Sequence, residues 1–266
     1  MRVWLPASIL TAWALAAVLG PWLPLAPNAV DLPHILHGPS AQAWLGYDEL
    51  GRSVADRLIA GARISFFVAF WVVSISLALG ALIGTLAAWY GGLWDHLVVH
   101  IIDIFLAFPG ILLAIALAGI LGPGIENVVI ALATVGWVGF ARLARAQALS
   151  LKHREHIQAA IALGAGVPRI IGYHMLPLLA APLIVEATFA IASTVIAEAG
   201  LSFLGLGVQP PTASWGSIVR DGMRYMLVAP HLVVAPAVVL LLVVIAANLL
   251  GDRLRDRLDV GRSTGL

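Results

Sequence analysis

Six long apolar runs, each close to the length that crosses a bilayer, leave few folds open to this chain. They cover residues 3–25, 64–90, 98–121, 127–143, 176–199 and 231–250. A spanning helix needs about 20 predominantly apolar residues. Lipid satisfies no backbone N–H or C=O group, so segments this apolar are expected as helices that bond internally. The predicted fold is all-α, a polytopic transmembrane helical bundle of about six spans. Composition agrees: 11% of residues are charged, against about 25% in soluble domains. The first run has a competing reading as a cleaved signal peptide, because small residues follow it at positions 26–29. It is longer than the usual signal core of about 7–15 residues, and Pro21, Pro24 and Pro27 close it as they would close a span.

Several functions lack the residues they need. There is no cysteine, which removes disulfides, thiolate metal sites and cysteine nucleophiles. The eight histidines are read as offering no paired metal-ligand spacing, so no metal site is expected. A formal net charge of +1 offers no basic excess for nucleic acid. The single lysine, Lys152, follows Leu151, so the G-x-x-x-x-G-K-[ST] phosphate loop is absent. A membrane enzyme would need a cluster of catalytic residues, and none is visible. A secondary transporter or channel fits the composition, but the internal repeat common in such proteins is not found.

Arginine and lysine placement sets the expected orientation. With the N-terminus inside and six alternating spans, the inner segments hold Arg2, Arg142, Arg145, Lys152, Arg154, Arg169, Arg253, Arg255, Arg257 and Arg262. The outer segments hold Arg52, Arg57, Arg63, Arg220 and Arg224. Both termini are therefore expected in the cytoplasm. The expected division is an N-terminal helix and outer segment (1–63), a transmembrane domain (64–255) with an inner loop near 150–176, and a short tail (256–266).

Two connecting segments stand out. The inner stretch 144–175 contains Ile157, Ile161 and Gly164 at i, i+4 and i+7, one face of a short helix whose remaining surface is kept small by Ala159, Ala160 and Ala162. From periodicity alone it reads as a surface connector. The outer loop 201–228 carries Gly205, Gly207, Pro210 and Pro211, which forbid a continuous helix. Trp215 and Tyr225 in it are expected at the membrane–water boundary.

Polar residues inside the runs are candidates for function. Glu186, Ser193, Thr194 and Glu198 of the fifth run fall within an arc of roughly 140°. An ionisable group in a span is expected to face the bundle interior or a watery cavity; the alternative places the two glutamates at the two interfaces. Asp103 reads either as a path residue or as a first-turn carboxylate stabilised by the helix dipole. Pro109-Gly110 is expected to kink the third span. Gly80-x-x-x-Gly84 is a small-residue face for close helix packing, within the chain or against a partner.

Four segments together resemble one family. Gln158-Ala159-Ala160, then Gly164, then His174-Met175-Leu176-Pro177 resembles the EAA signature of ABC importer permeases, with matching spacing. Tyr47-Asp48-Glu49-Leu50-Gly51-Arg52-Ser53 with Gly61-Ala62-Arg63-Ile64-Ser65 looks like the dipeptide, oligopeptide and nickel branch of that family. So does the stretch from Ala197-Glu198-Ala199-Gly200 through Gln209-Pro210-Pro211 to Ser214-Trp215-Gly216, and Asp103 with Phe108-Pro109-Gly110 also fits. Gln158 stands where the family usually has Glu, and Tyr47 where it usually has Thr.

The resemblance implies a multi-pass permease of the cytoplasmic (inner) membrane that imports dipeptides or oligopeptides, or alternatively nickel or a metal chelate. It implies two ATP-binding cassette subunits that carry ATP and Mg, a second permease subunit, and an extracytoplasmic solute-binding protein. This chain would bind no cofactor itself. Gln158, Ala159, Ala160, Gly164, Leu176 and Pro177 would form the loop that couples to the ATPase. Glu198 is favoured for the transport path because the family also has Glu there. The outer elements 48–52 and 209–216 would meet the binding protein or shape a gate, with loop packing as the alternative.

Overall fold

A computed structural model describes residues 4–263, with side chains through residue 258. Arg2, the side chain of Arg262 and the last residues of the tail 256–266 lie outside that description. The helices are α1 (Trp4–Leu19), α2 (Val54–Tyr90), α3 (Gly92–Leu106), α4 (Gly110–Leu121), α5 (Ile125–Lys152), α6 (Glu155–Ala162), the single turn α7 (Val167–Arg169), α8 (Leu176–Phe203), α9 (Trp215–Met223) and α10 (His231–Ser263). Among the described residues five stretches are long and apolar enough to cross a membrane, and α3 with α4 makes a sixth if the bent pair is one span.

Helices outrun the apolar runs because hydropathy marks only the part that lies in lipid. α2 has 37 residues, a length of about 55 Å at 1.5 Å per residue, against a hydrocarbon core of about 30 Å. Its N-terminus is capped by the Ser53 hydroxyl, which accepts from the Asp56 amide at 3.3 Å. Arg57 and Arg63 therefore sit on the helix itself, and the expected division at 63/64 falls inside α2.

The third run departs furthest from expectation. Its two halves meet at 86°, a break rather than a kink. Pro109 disfavours helical geometry at Phe108 and stands at the N-cap of α4. α3 also begins earlier than the run, at Gly92, so the first-turn carboxylate is Asp95. Asp103 lies exposed in the last turn of α3. The dipole reading for Asp103 is thus corrected, because a helix C-terminus disfavours negative charge.

α2 is the axis of the bundle and lies along α5. A Cβ on Gly80 would strike the Trp137 carbonyl and Phe140, and one on Gly84 would strike the Ala141 carbonyl. The Gly80-x-x-x-Gly84 face therefore serves packing within the chain. At one end, Ala88, Ala148, Leu151, Ile157, Ile170 and Met175 close a core around α6. At the other end, Trp13, Val54, Leu58, Trp215, Ile218 and Leu232 close a core around α9.

Trp215 is a core residue of the bundle. It is 1% exposed, and its indole N–H donates to the Leu58 carbonyl at 2.9 Å. α9, capped reciprocally by Ser214 and Ser217, turns the loop back into the bundle, where Gly61 of α2 leaves room for the ring. α1 is held on the same core by Trp13, whose N–H donates to the Ala62 carbonyl at 3.2 Å and whose ring meets Phe66 edge-on at 5.3 Å.

Candidate functional site

At the α6 end, polar ties fix the helices that frame α6. Arg145 of α5 forks onto Asp95 of α3, with Nε to Oδ1 at 2.6 Å and Nη2 to Oδ2 at 2.7 Å. Such bidentate pairs fix orientation as well as distance. Lys152, the last residue of α5, donates to the Trp89 carbonyl at 2.6 Å with its ammonium 5.5 Å from the Trp89 ring centre.

α6 follows directly. Ile157 and Ala160 are its buried residues, so the seated face is an i, i+3 pair. Ile161, expected on that face, is 40% exposed, because the helix rolls until Ile157 alone fills the gap between α5 and the turn before α8. Gly164 closes the helix at φ 80°. Its amide donates to the Ile161 carbonyl at 2.9 Å and the Ala165 amide to the Ala160 carbonyl at 3.0 Å, the paired bonds of a Schellman C-cap. Gln158 donates from Nε2 to the Lys152 carbonyl at 2.8 Å, a bond that a carboxylate at this position could not make. Ala159, Ala162 and Leu163 face outward, with Leu163 88% exposed. Leu163 was missed in the sequence because an apolar residue beside a small-residue helix reads as core.

Leu176 and Pro177 open α8. Before them the chain takes a wide turn, Ile170–Met175, in which the Leu176 amide reaches back to the Ile171 carbonyl. Pro177 offers no N–H to the carbonyl four residues earlier, and Tyr173 in the same turn is 80% exposed. Gln158 to Gly164 and Leu176-Pro177 thus lie on two consecutive segments joined through Ile157, Ile170 and Met175.

A cavity of about 660 Å³ opens between α2, α4, α5 and α8, lined by Ser76, Gly110, Phe140, Glu186, Ser193 and Thr194 among others. Glu186 and Phe189 also line a neighbouring cavity of about 320 Å³ that continues toward Gln147 and Arg255. The Ser76 hydroxyl is buried on the cavity wall with no hydrogen-bond partner.

Glu198 lines neither cavity. It is 1% exposed, accepting from Ser65 of α2 at 2.9 Å and from Ser202 at 2.8 Å. At about 100° per residue, it stands at the edge of the arc, where α2 packs, while Glu186 and Ser193 stand at the opposite edge. Asp103 also lines neither cavity. His96 and His100 stand four apart on α3, which corrects the reading that the histidines offer no paired ligand spacing; among the described residues no group of three or more His, Asp or Glu is placed to hold a metal.

Residues 80–263 match the family described as the binding-protein-dependent transport system inner membrane component. The chain belongs to that family. The permease is 44% identical over 234 residues to the glutathione transport system permease protein GsiD of Escherichia coli, covering 88% of this chain and 77% of that protein. It is 42% identical over 252 residues to the dipeptide transport system permease protein DppC of Alkalihalophilus pseudofirmus, covering 94% and 83%. Its fold is similar to that of a chain of the MetNI methionine ABC transporter in an inward-facing conformation, with a TM-score of 0.60 and 20% identity over 75% of this chain and 95% of that one. The permease is a multi-pass component of the inner membrane: the apolar runs predicted the spans, and the family resemblance implied which membrane.

Proposed function

We propose that the permease is one of two membrane subunits of an ATP-driven importer that moves dipeptides or oligopeptides, glutathione-like tripeptides included, into the cytoplasm. Both termini and α6 face the cytoplasm, and α9 faces outward. Two separate ATPase subunits bind ATP and Mg, and an extracytoplasmic binding protein delivers the solute. The observation that carries this reading is the α6 loop. It is a short helix anchored by Ile157, closed by Gly164, and left with the small, apolar outward face of Ala159, Ala162 and Leu163. That face suits a cleft on another protein. A push on it is delivered to α5 through Gln158 and Lys152 and to α8 through Ile170 and Met175. Rigid-body movement of such packed helices is a common way to switch access.

The path runs through the cavity lined by Glu186, Ser193 and Thr194. Glu186 supplies a carboxylate for the free ammonium of a peptide. Glu198 serves the path from behind, by fixing the distance between α2 and α8 through Ser65. Asp103, remote from the cavity wall, has no contact with solute in this reading.

The test is reconstitution of the permease with its sister subunit, both ATPases and the binding protein in vesicles. A labelled dipeptide should accumulate only with ATP and binding protein present. Accumulation by the permease alone would overturn the reading.

A further inference from the structure

A groove on the outer flank of α1 and α2 takes no part in the path described above. It has a volume of about 360 Å³ and is lined by Val18, Trp22, Arg63, Phe66, Phe67 and Phe70 among others. None of its lining residues lines the central cavity.

The groove has a polar end and an apolar end. Gly20, just past α1, packs against α2 at Ile59, where a Cβ would lie 3.5 Å from the Ile59 side chain. Arg63 is four residues further along α2, about 6 Å deeper at 1.5 Å per residue. Phe67 and Phe70 follow it one and two turns deeper still. Phe66 and Phe70 stack with ring centres 6.5 Å apart and make a continuous apolar floor. Trp22, at the mouth, is 76% exposed, and tryptophan favours the membrane–water boundary.

The charge at the polar end is unanswered. An arginine in a protein keeps its charge, and a charged side chain within a span is costly unless it is paired or reaches the interface. Arg63 is exposed and has no hydrogen bond or ion pair among the described residues. The Trp22 indole N–H has no partner among them either. No carboxylate is found among the groove's described lining residues.

We propose that this groove is a binding site for an anionic phospholipid, with the phosphate on Arg63 and Trp22 and one acyl chain along Phe66, Phe67 and Phe70. Guanidinium groups match phosphate in shape and charge, and basic pockets between spanning helices hold acidic headgroups. A zwitterionic headgroup would bring an ammonium that no carboxylate of the groove receives. The order of the groove, cation near the boundary and rings beneath it, is the order of headgroup and chain in a bilayer. The site goes beyond the function proposed above and takes from it only the leaflet, which is the outer one.

The experiment uses the permease purified with its partner subunits and stripped of lipid in detergent. It is titrated with dioleoylphosphatidylglycerol or dioleoylphosphatidylcholine, and bound lipid is counted by native mass spectrometry. The tightest phosphatidylglycerol site should bind about tenfold more strongly than any phosphatidylcholine site. Arg63→Ala should abolish that site, and Arg63→Lys should keep it within about threefold. Val18, 51% exposed on the groove wall, supplies a second variant: Val18→Trp fills the groove, leaves Arg63 in place and should also abolish the site. Equal affinity for the two lipids in the wild type would overturn the proposal, as would a site that survives both Arg63→Ala and Val18→Trp. So would Phe70→Cys that a lipid-soluble maleimide labels in the permease alone but not in the assembled complex, because a partner subunit would then cover the groove. Failure of the importer reading would appear in uptake and leave these affinities unchanged.

Discussion

Glu198 ties two helices with two hydrogen bonds to hydroxyls, and the ways of removing it separate structure from transport. Ala at this position leaves the Ser65 and Ser202 hydroxyls facing a void. The combined loss of buried hydrogen bonds and side-chain volume should cost about 2–4 kcal/mol. Glu198→Gln keeps one acceptor oxygen and should cost about 1 kcal/mol. Thermal unfolding of the assembled importer in detergent measures both. In the same preparations KM for the solute should stay near wild type, because Glu198 does not reach the cavity. A large KM change in Glu198→Gln with an unchanged melting point would put its carboxylate in contact with solute. Glu186 predicts the reverse. Glu186→Gln should leave stability within about 0.5 kcal/mol, as for surface changes, and raise KM for dipeptides with a free amino group more than for N-acetylated ones.

At the scale of elements, α6 carries two changes that look alike and act differently. Gly164→Ala meets no neighbouring atom, yet holds a Cβ at φ 80°, which costs roughly 1–2 kcal/mol. Amide exchange over residues 155–165 should quicken. Leu163→Glu alters a side chain that is 88% exposed and should leave the melting point alone while weakening recovery of the ATPase subunits with the complex. Equal recovery for Leu163→Glu and wild type would remove α6 from the docking surface. On the α2–α5 contact, Gly84→Ala presses a methyl onto the Ala141 carbonyl and should destabilise by about 1–3 kcal/mol, as overpacking does. These elements also mark what the sequence could reveal. The number of spans was legible because lipid burial demands long apolar runs, and the short helix α6 was legible because small residues closed by Gly164 punctuate the stretch between two runs. Helix ends were not, since the polar first turns of α2 leave the lipid while the backbone stays helical. Pro109 located the break between α3 and α4, but the 86° angle is set by packing. Leu163 and Arg63 escaped notice for a related reason: exposure and pairing are properties of the folded chain.

For the whole molecule, sidedness decides whether these parts work together. Under the proposed function the α6 end meets soluble ATPases and the α9 end a binding protein, which puts the two ends on opposite sides of the membrane. The chain has no cysteine, so a single introduced thiol can be labelled without background. His153, between α5 and α6, is exposed, and Leu227, just beyond α9, is fully exposed at 101%. Neither contributes to the cores at its end of the bundle. In intact spheroplasts a membrane-impermeant maleimide should label Leu227→Cys and spare His153→Cys, and permeabilisation should bring His153→Cys to the same level. The positive-inside bias and the coupling role proposed for α6 both require this result. The opposite pattern would leave the bundle intact as a fold but would turn α6 away from any cytoplasmic ATPase.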